Sequence, residues 1–310
     1  MAQSEWTTTT HLIEQAMEIL EEENPMTIRQ LFYRLVSTEE IQNTQSDYKR
    51  VSRLMTKARR DDRCPYEYIV DRSRPVYQPS VWRDAAGYAK CVKRGYRKDY
   101  WSMQPEYVEI WSEKDSVIGS IQDLTDELGI IVRVGRGFQS ATRVNDVAEH
   151  LNSIEKLRKQ VLYLGDWDPS GEDIQRAAYH LIQDRCHDLK YGSGSPVLRR
   201  LSDQELRSQF LIERIAIHKE DIQKFKLPPL RIRTTEDGSY ADSRAKKFVK
   251  KHGKNCVELD ALPPTELRRR IREAVEKRMD IEKWKRAIEI EKVEIRSIVE
   301  TVSKWPGIHV

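Results

Sequence analysis

Two carboxylates, Asp166 and Asp168, stand two residues apart where the apolar run Val161-Leu162-Tyr163-Leu164 ends. A run of that length and composition reads as a buried strand. If the chain stays extended beyond it, a period of two points both carboxylates to the same side. Like charges placed so repel unless a cation sits between them. Hard oxygen donors with open positions suit Mg²⁺ rather than zinc. A turn whose first aspartate caps the next helix would account for one of these carboxylates and leave the other unexplained. Glu113 ends a second strand candidate, Tyr107–Trp111, in the same manner. Sites in open α/β sheets collect at the carboxyl ends of strands, so Glu113, Asp166 and Asp168 are expected to converge there.

A second chemical feature lies near the N-terminus, in TIRQLFYRLV at 27–36. Ile28, Leu31, Phe32, Leu35 and Val36 follow helical spacing closely. Tyr33 falls off that stripe, with Arg29 four residues before it. Periodicity therefore takes the phenol out of the core and sets a guanidinium beside it. A third feature is a basic stripe, Lys49, Arg53, Lys57 and Arg60, on a helix from Ser46 to Arg60 whose Tyr48, Val51, Met55 and Ala58 face inward. Such a stripe tracks phosphates.

These groups need elements to carry them. His11–Glu23 reads as a first helix, with Leu12, Ile13, Ala16, Met17 and Leu20 inward, stopped by Asn24 and Pro25. Three short helices with the stripe on the third describe a helix-turn-helix. A hairpin within PYEYIVDRSRPVY (65–77) would make residues 1–80 a winged-helix DNA-binding domain. Residues 81–104 form an aromatic, basic connector to which no chemistry is assigned. From 105 to 310, strands at 107–111, 130–134, 161–164 and 211–217 alternate with helices. That alternation argues for a mostly parallel, Rossmann-like sheet with helices on both faces, an α/β class. Gly135-x-Gly137 lacks the third glycine and the lysine of a phosphate loop and reads as a turn, as the glycines of 191–196 mark a loop. His218 reads as a surface histidine. ELRRRIREAVEKR (266–278) reads as a solvated amphipathic helix, open to a dimer contact.

The net charge of +4 over 310 residues conceals an uneven distribution. Between Lys49 and Lys98 there are 15 Lys or Arg against 5 Asp or Glu, a surplus of +10, which leaves −6 for the rest. A basic block on an otherwise acidic chain is the footprint of a polyanion partner. Cys64, Cys91, Cys186 and Cys256 form no C-x-x-C pair, which argues against zinc and disulfide frameworks. No run approaches the roughly 20 apolar residues of a membrane span. No signal pattern opens the chain, so a cytoplasmic, nucleoid-associated location is expected.

WSEKDSV (111–117) and LGDWDPSGED (164–173) resemble the two signatures of the Toprim domain, the acidic metal fold of topoisomerases, primases and several nucleases. The fuller resemblance is to the topoisomerase VI A subunit and its relative, the meiotic double-strand-break protein. TIRQLFYRLV is similar to that family's winged-helix motif, and EDIQKFKLPP (220–229), VELDAL (257–262) and Thr142–Arg143 are weaker echoes. The resemblance implies a winged helix followed by a Toprim domain. It implies Tyr33 as nucleophile, Arg29 as its partner, and Mg²⁺ on Glu113, Asp166 and Asp168. The activity it implies is type IIB topoisomerase-like cleavage and religation of double-stranded DNA through a 5′-phosphotyrosyl link. A homodimer would share its sites between subunits, with a separate ATPase subunit for strand passage or none, as in a stand-alone miniature A subunit. Two other readings stay open: a Toprim nuclease that uses water, and a non-catalytic DNA-binding regulator.

Overall fold

The structure, a computed structural model, describes residues 2–70, 79–135, 140–156, 158–191, 210–235 and 238–305. It opens with three helices, α1 (Ala2–Glu23), α2 (Ile28–Ser37) and α3 (Gln45–Arg60). Asn24 and Pro25 separate the first two, and Thr27 starts α2 with a capping box closed by Gln30. Thr44 caps α3 by accepting from the Asp47 amide. After α3, residues 66–68 make a single 3-10 turn, and Ile69 pairs with Met26 as an isolated parallel bridge. The three-helix unit is thus as expected. The hairpin expected within 65–77 falls from residue 71 onward outside the described residues.

The connector contains a helix, α4 (Ala85–Gly95), that packs on the last helix of the chain through Ala89, Val92, Ile298 and Val302. Next comes the alternation β1 (Glu106–Ser112), α5 (Ile118–Glu127), β2 (Ile131–Val134), α6 (Ala141–Ser153), β3 (Arg158–Leu164), α7 (Pro169–Tyr191) and β4 (Leu211–Ala216). The four strands form one parallel sheet in the order β2-β1-β3-β4, the α/β arrangement expected from the alternation. Beyond it lie α8 (Lys219–Lys224), β5 (Leu230–Arg231), α9 (Ala245–His252), β6 (Asn255–Cys256), a 3-10 turn (Leu259–Ala261), α10 (Pro264–Glu276) and α11 (Ile281–Ser303). β5 and β6 pair antiparallel. The Gly135-x-Gly137 turn and the 191–196 loop fall largely outside the described residues.

Period-two alternation divides the sheet between two cores. Tyr107, Trp111, Val161 and Tyr163 pack against α6 and α7. Val108, Ile110, Leu162 and Leu164 face a larger core that runs without a break through α5, α10, the 3-10 turn and α1–α3. α10 corrects the expectation of a surface helix. Leu267, Ile271 and Val275 are fully buried, so its apolar stripe closes the main core and only its charged face meets water. No helix among the described residues is long and apolar enough to cross a membrane. All four cysteines are unpaired.

Candidate active site

β1 and β3 are neighbours in register, Ser112 opposite Leu164, so the residues that follow them are set side by side. The Glu113 amide donates to the Leu164 carbonyl at 2.9 Å. The Asp166 amide in turn donates to Glu113 Oε2 at 3.1 Å. The first helical turn of α7 presses against this pair. A Cβ at Gly171 would lie 2.4 Å from the Asp166 carbonyl oxygen and 3.0 Å from Glu113 Oε2, so only glycine allows the approach. Arg214, half-buried on β4, holds the turn by donating to the carbonyls of Gly165, Asp166 and Gly171 at 3.0, 3.1 and 2.9 Å. Tyr163 lies beneath, its hydroxyl 3.5 Å from Glu113 Oε2.

Crowded anions at this strand end leave an electrostatic mark. Burial pushes the Glu113 carboxyl up to about 7, reinforced by the negative charges of Asp166 and Asp168. Burial likewise pushes Asp166 up to about 6, although Lys114 and the Leu259 amide pull it back. The donor set is all oxygen and carries surplus negative charge, which is the chemistry a hard divalent cation needs. The arrangement does not match the expected convergence, however. Asp168 turns Oδ1 to the Gly171 amide at 2.6 Å and so caps α7. The second aspartate, not the first, is the cap. Asp166 accepts at Oδ1 from the Leu259 amide at 2.7 Å, and its Oδ2 pairs with Lys114 Nζ at 3.0 Å. Among the described residues no group of three or more His, Cys, Asp or Glu side chains is set to hold a metal ion. The carboxylates are assembled as neighbours, with a lysine in their midst.

That lysine joins them to further acids. Trp167 bridges Val257 in antiparallel fashion, which lays the segment from 257 to the 3-10 turn across the end of β3. Glu258 and Asp260 then face Lys114, whose Nζ lies 2.8 Å from Glu258 Oε2 and 3.2 Å from Asp260 Oδ2. Asp260 is buried, and its Oδ1 has no hydrogen-bond partner. On the far side of Glu258 stands Arg29, with Nη2 at 2.6 Å and Nε at 2.9 Å from Oε2. Arg29 Nη2 is also 3.5 Å from the Tyr33 hydroxyl. A line of polar contacts thus runs Tyr33–Arg29–Glu258–Lys114–Asp166 within one chain.

Tyr33 itself corrects the periodicity argument. It is 3% exposed and lies against Phe32 with ring centroids 5.3 Å apart. Its helix is covered on two sides, by α1 and α3 on one and by the 3-10 turn on the other, so leaving the first stripe carries a residue into a second interface. Burial, then Glu258, pushes the phenol up to about 12, against the pull of Arg29 and Lys114. The expected Arg29–Tyr33 proximity is found. Lys49, Arg53, Lys57 and Arg60 are all exposed along α3, while Val51, Met55 and Ala58 are buried, as the spacing requires.

Residue patterns alone missed Lys114, Glu258, Asp260 and Arg214. Lys114 sits inside the WSEKDSV signature, and Glu258 and Asp260 stand two residues apart in VELDAL. Those signals existed but named no partner 144 residues away. Arg214 gave none, since a charged residue on an edge strand usually faces water. No family model, no curated protein and no solved structure matches the chain.

Proposed function

We propose that the chain cleaves the backbone of double-stranded DNA by transesterification, with Tyr33 as nucleophile. One observation carries the reading: the phenol and guanidinium of α2 are joined through Glu258 and Lys114 to the acidic ends of β1 and β3. The Tyr33 oxygen forms a bond to phosphorus as the bond from phosphorus to the 3′ oxygen breaks. The phenolic proton is lost, the leaving 3′ oxygen gains one, and a 5′-phosphotyrosyl link remains. One phosphoester replaces another, so the reverse reaction reseals the strand without ATP. Arg29 stabilises the phenolate and the charge that develops on the phosphate. The basic face of α3 holds the duplex through its phosphates. Mg²⁺ on Glu113, Asp166 and Asp168 would supply Lewis-acid stabilisation of the phosphoryl oxygens once Asp168 leaves the Gly171 amide and Asp166 leaves Lys114. Cleavage of both strands takes two such chains, so the reading includes a homodimer, with an ATPase subunit added where strands are passed. Its cellular setting is the cytoplasm, at the nucleoid.

A second reading has its own support. A phenol 3% exposed and raised to about 12 is a poor nucleophile as it stands, which favours hydrolysis by water activated at the acidic strand ends. Two variants separate these readings. Cleavage lost in Tyr33→Phe supports transesterification; cleavage kept there but lost in Asp166→Ala supports hydrolysis. Duplex binding with no cleavage in the parent chain supports a DNA-binding regulator.

A further inference from the structure

The Glu258 carboxylate occupies an unusual position. It is gripped by two cations from opposite parts of the chain, Arg29 of α2 and Lys114 after β1, at 2.6 and 2.8 Å. Burial pushes its carboxyl up, yet Lys114 and Arg29 outweigh burial and leave it below the usual range, hence ionised. Asp260 also faces the pair, at 3.2 Å from Lys114 and 3.9 Å from Arg29. Asp260 is fully enclosed on the 3-10 turn, whereas Glu258 precedes that turn and its side chain is one-fifth exposed. Arg29 is 43% exposed on the same side. An anion arriving from solvent therefore meets Arg29 and Glu258 first. An oxyanion held by a planar guanidinium and an ammonium is the arrangement a phosphate takes at such groups. The Tyr33 hydroxyl also lies against this guanidinium, 3.5 Å from Arg29 Nη2.

We propose that Arg29 and Lys114 form a subsite for a backbone phosphate of DNA and that Glu258 is its internal occupant, a carboxylate that the phosphate displaces. The inference rests on the reading of α2 as the helix that meets the phosphodiester, but it concerns binding and not the bond-breaking step. Displacement would leave both cations on the phosphate, which puts one negative charge in the place of another beside Tyr33. Lys114 would keep Asp166 and Asp260 as partners, so it stays anchored when Glu258 departs.

The experiment measures affinity of the full chain for a blunt DNA duplex of about 30 base pairs in chelator, across a salt series. Without a divalent ion the proposed cleavage does not intervene, so a chain that never cuts DNA still gives a clear answer. Glu258→Gln is expected to bind about tenfold more tightly than the parent at low salt, with a salt slope steeper by about one. In an Arg29→Ala background the same substitution is expected to give no gain. Equal or weaker binding by folded Glu258→Gln, with an unchanged slope, would overturn the proposal. So would an equal gain with and without Arg29, which marks general charge removal. Glu258→Asp provides a second reading, since a carboxylate one methylene shorter reaches both cations less well and is expected to give part of the gain. The subsite requires a chain that stays folded when Glu258 leaves the pair, so loss of fold in both variants also counts against it.

Discussion

Neutralising Glu113 should remove the pH dependence that its carboxyl imposes on stability. In the folded chain its carboxyl stands at about 7, against an ordinary value of 4.5. Between those values the folded chain holds a proton that the unfolded chain has lost, so stability falls as pH rises. The contribution is fully present below the unfolded value and is lost by the time pH passes through about 7. At about 1.36 kcal/mol for each tenfold change in proton affinity, the displacement amounts to about 3 kcal/mol as an upper figure. With about 2 cal/mol/K of unfolding entropy per residue, that corresponds to about 5 °C in Tm for this chain. The assay is thermal unfolding from about pH 4.5 to 8 of the parent and Glu113→Gln in chelator. The parent should lose stability relative to the variant over that range and then run parallel to it. Adding Mg²⁺ at the alkaline end should raise the parent more than the variant, because a bound cation offsets the charge that Glu113 carries. Identical pH profiles for the two proteins would refute the burial and charge argument for this site. Equal responses to Mg²⁺ would refute the assignment of the ion to it.

Three further outcomes follow from the same geometry. Gly171→Ala drives a methyl into the Asp166 carbonyl and Glu113, and should destabilise by roughly 1–3 kcal/mol in denaturant unfolding, with cleavage lost as the strand ends part. Lys114→Met leaves Asp166, Glu258 and Asp260 without their shared ammonium and should cost roughly 3–5 kcal/mol by the same measurement. Replacing Lys49, Arg53, Lys57 or Arg60 singly by Ala should leave Tm nearly unchanged and lower the salt slope of duplex binding by about one for each phosphate contact removed.

The parallel sheet was legible because short β-prone segments alternate with helices that each keep their own apolar stripe. The apolar stripe of α2 and the inward face of α3 were legible for the same local reason. Burial of Tyr33 was not, because it depends on the 3-10 turn some 226 residues later in the chain lying against α2. The role of Asp168 was half legible: spacing placed it beside Asp166, but the choice between capping and a shared ion is made by the Gly171 amide 2.6 Å away. Lys114 shows the limit most clearly. Its neighbour Glu113 could be chosen from strand-end position, whereas a lysine with three carboxylates within 3.2 Å is defined by two segments that meet only in the fold. The amphipathic pattern of α10 lies in its residues, whereas what covers its apolar face does not.

The central claim is that Tyr33 becomes covalently joined to DNA. The direct measurement is to incubate the chain with duplex DNA and Mg²⁺, denature it, digest it with nuclease and trypsin, and weigh the peptide Gln30–Arg34. This peptide is expected to gain the mass of a nucleotide carried through its 5′ phosphate, and the gain to be absent in Tyr33→Phe. Cut DNA beside a wholly unmodified peptide would contradict the claim and assign the cleavage to water.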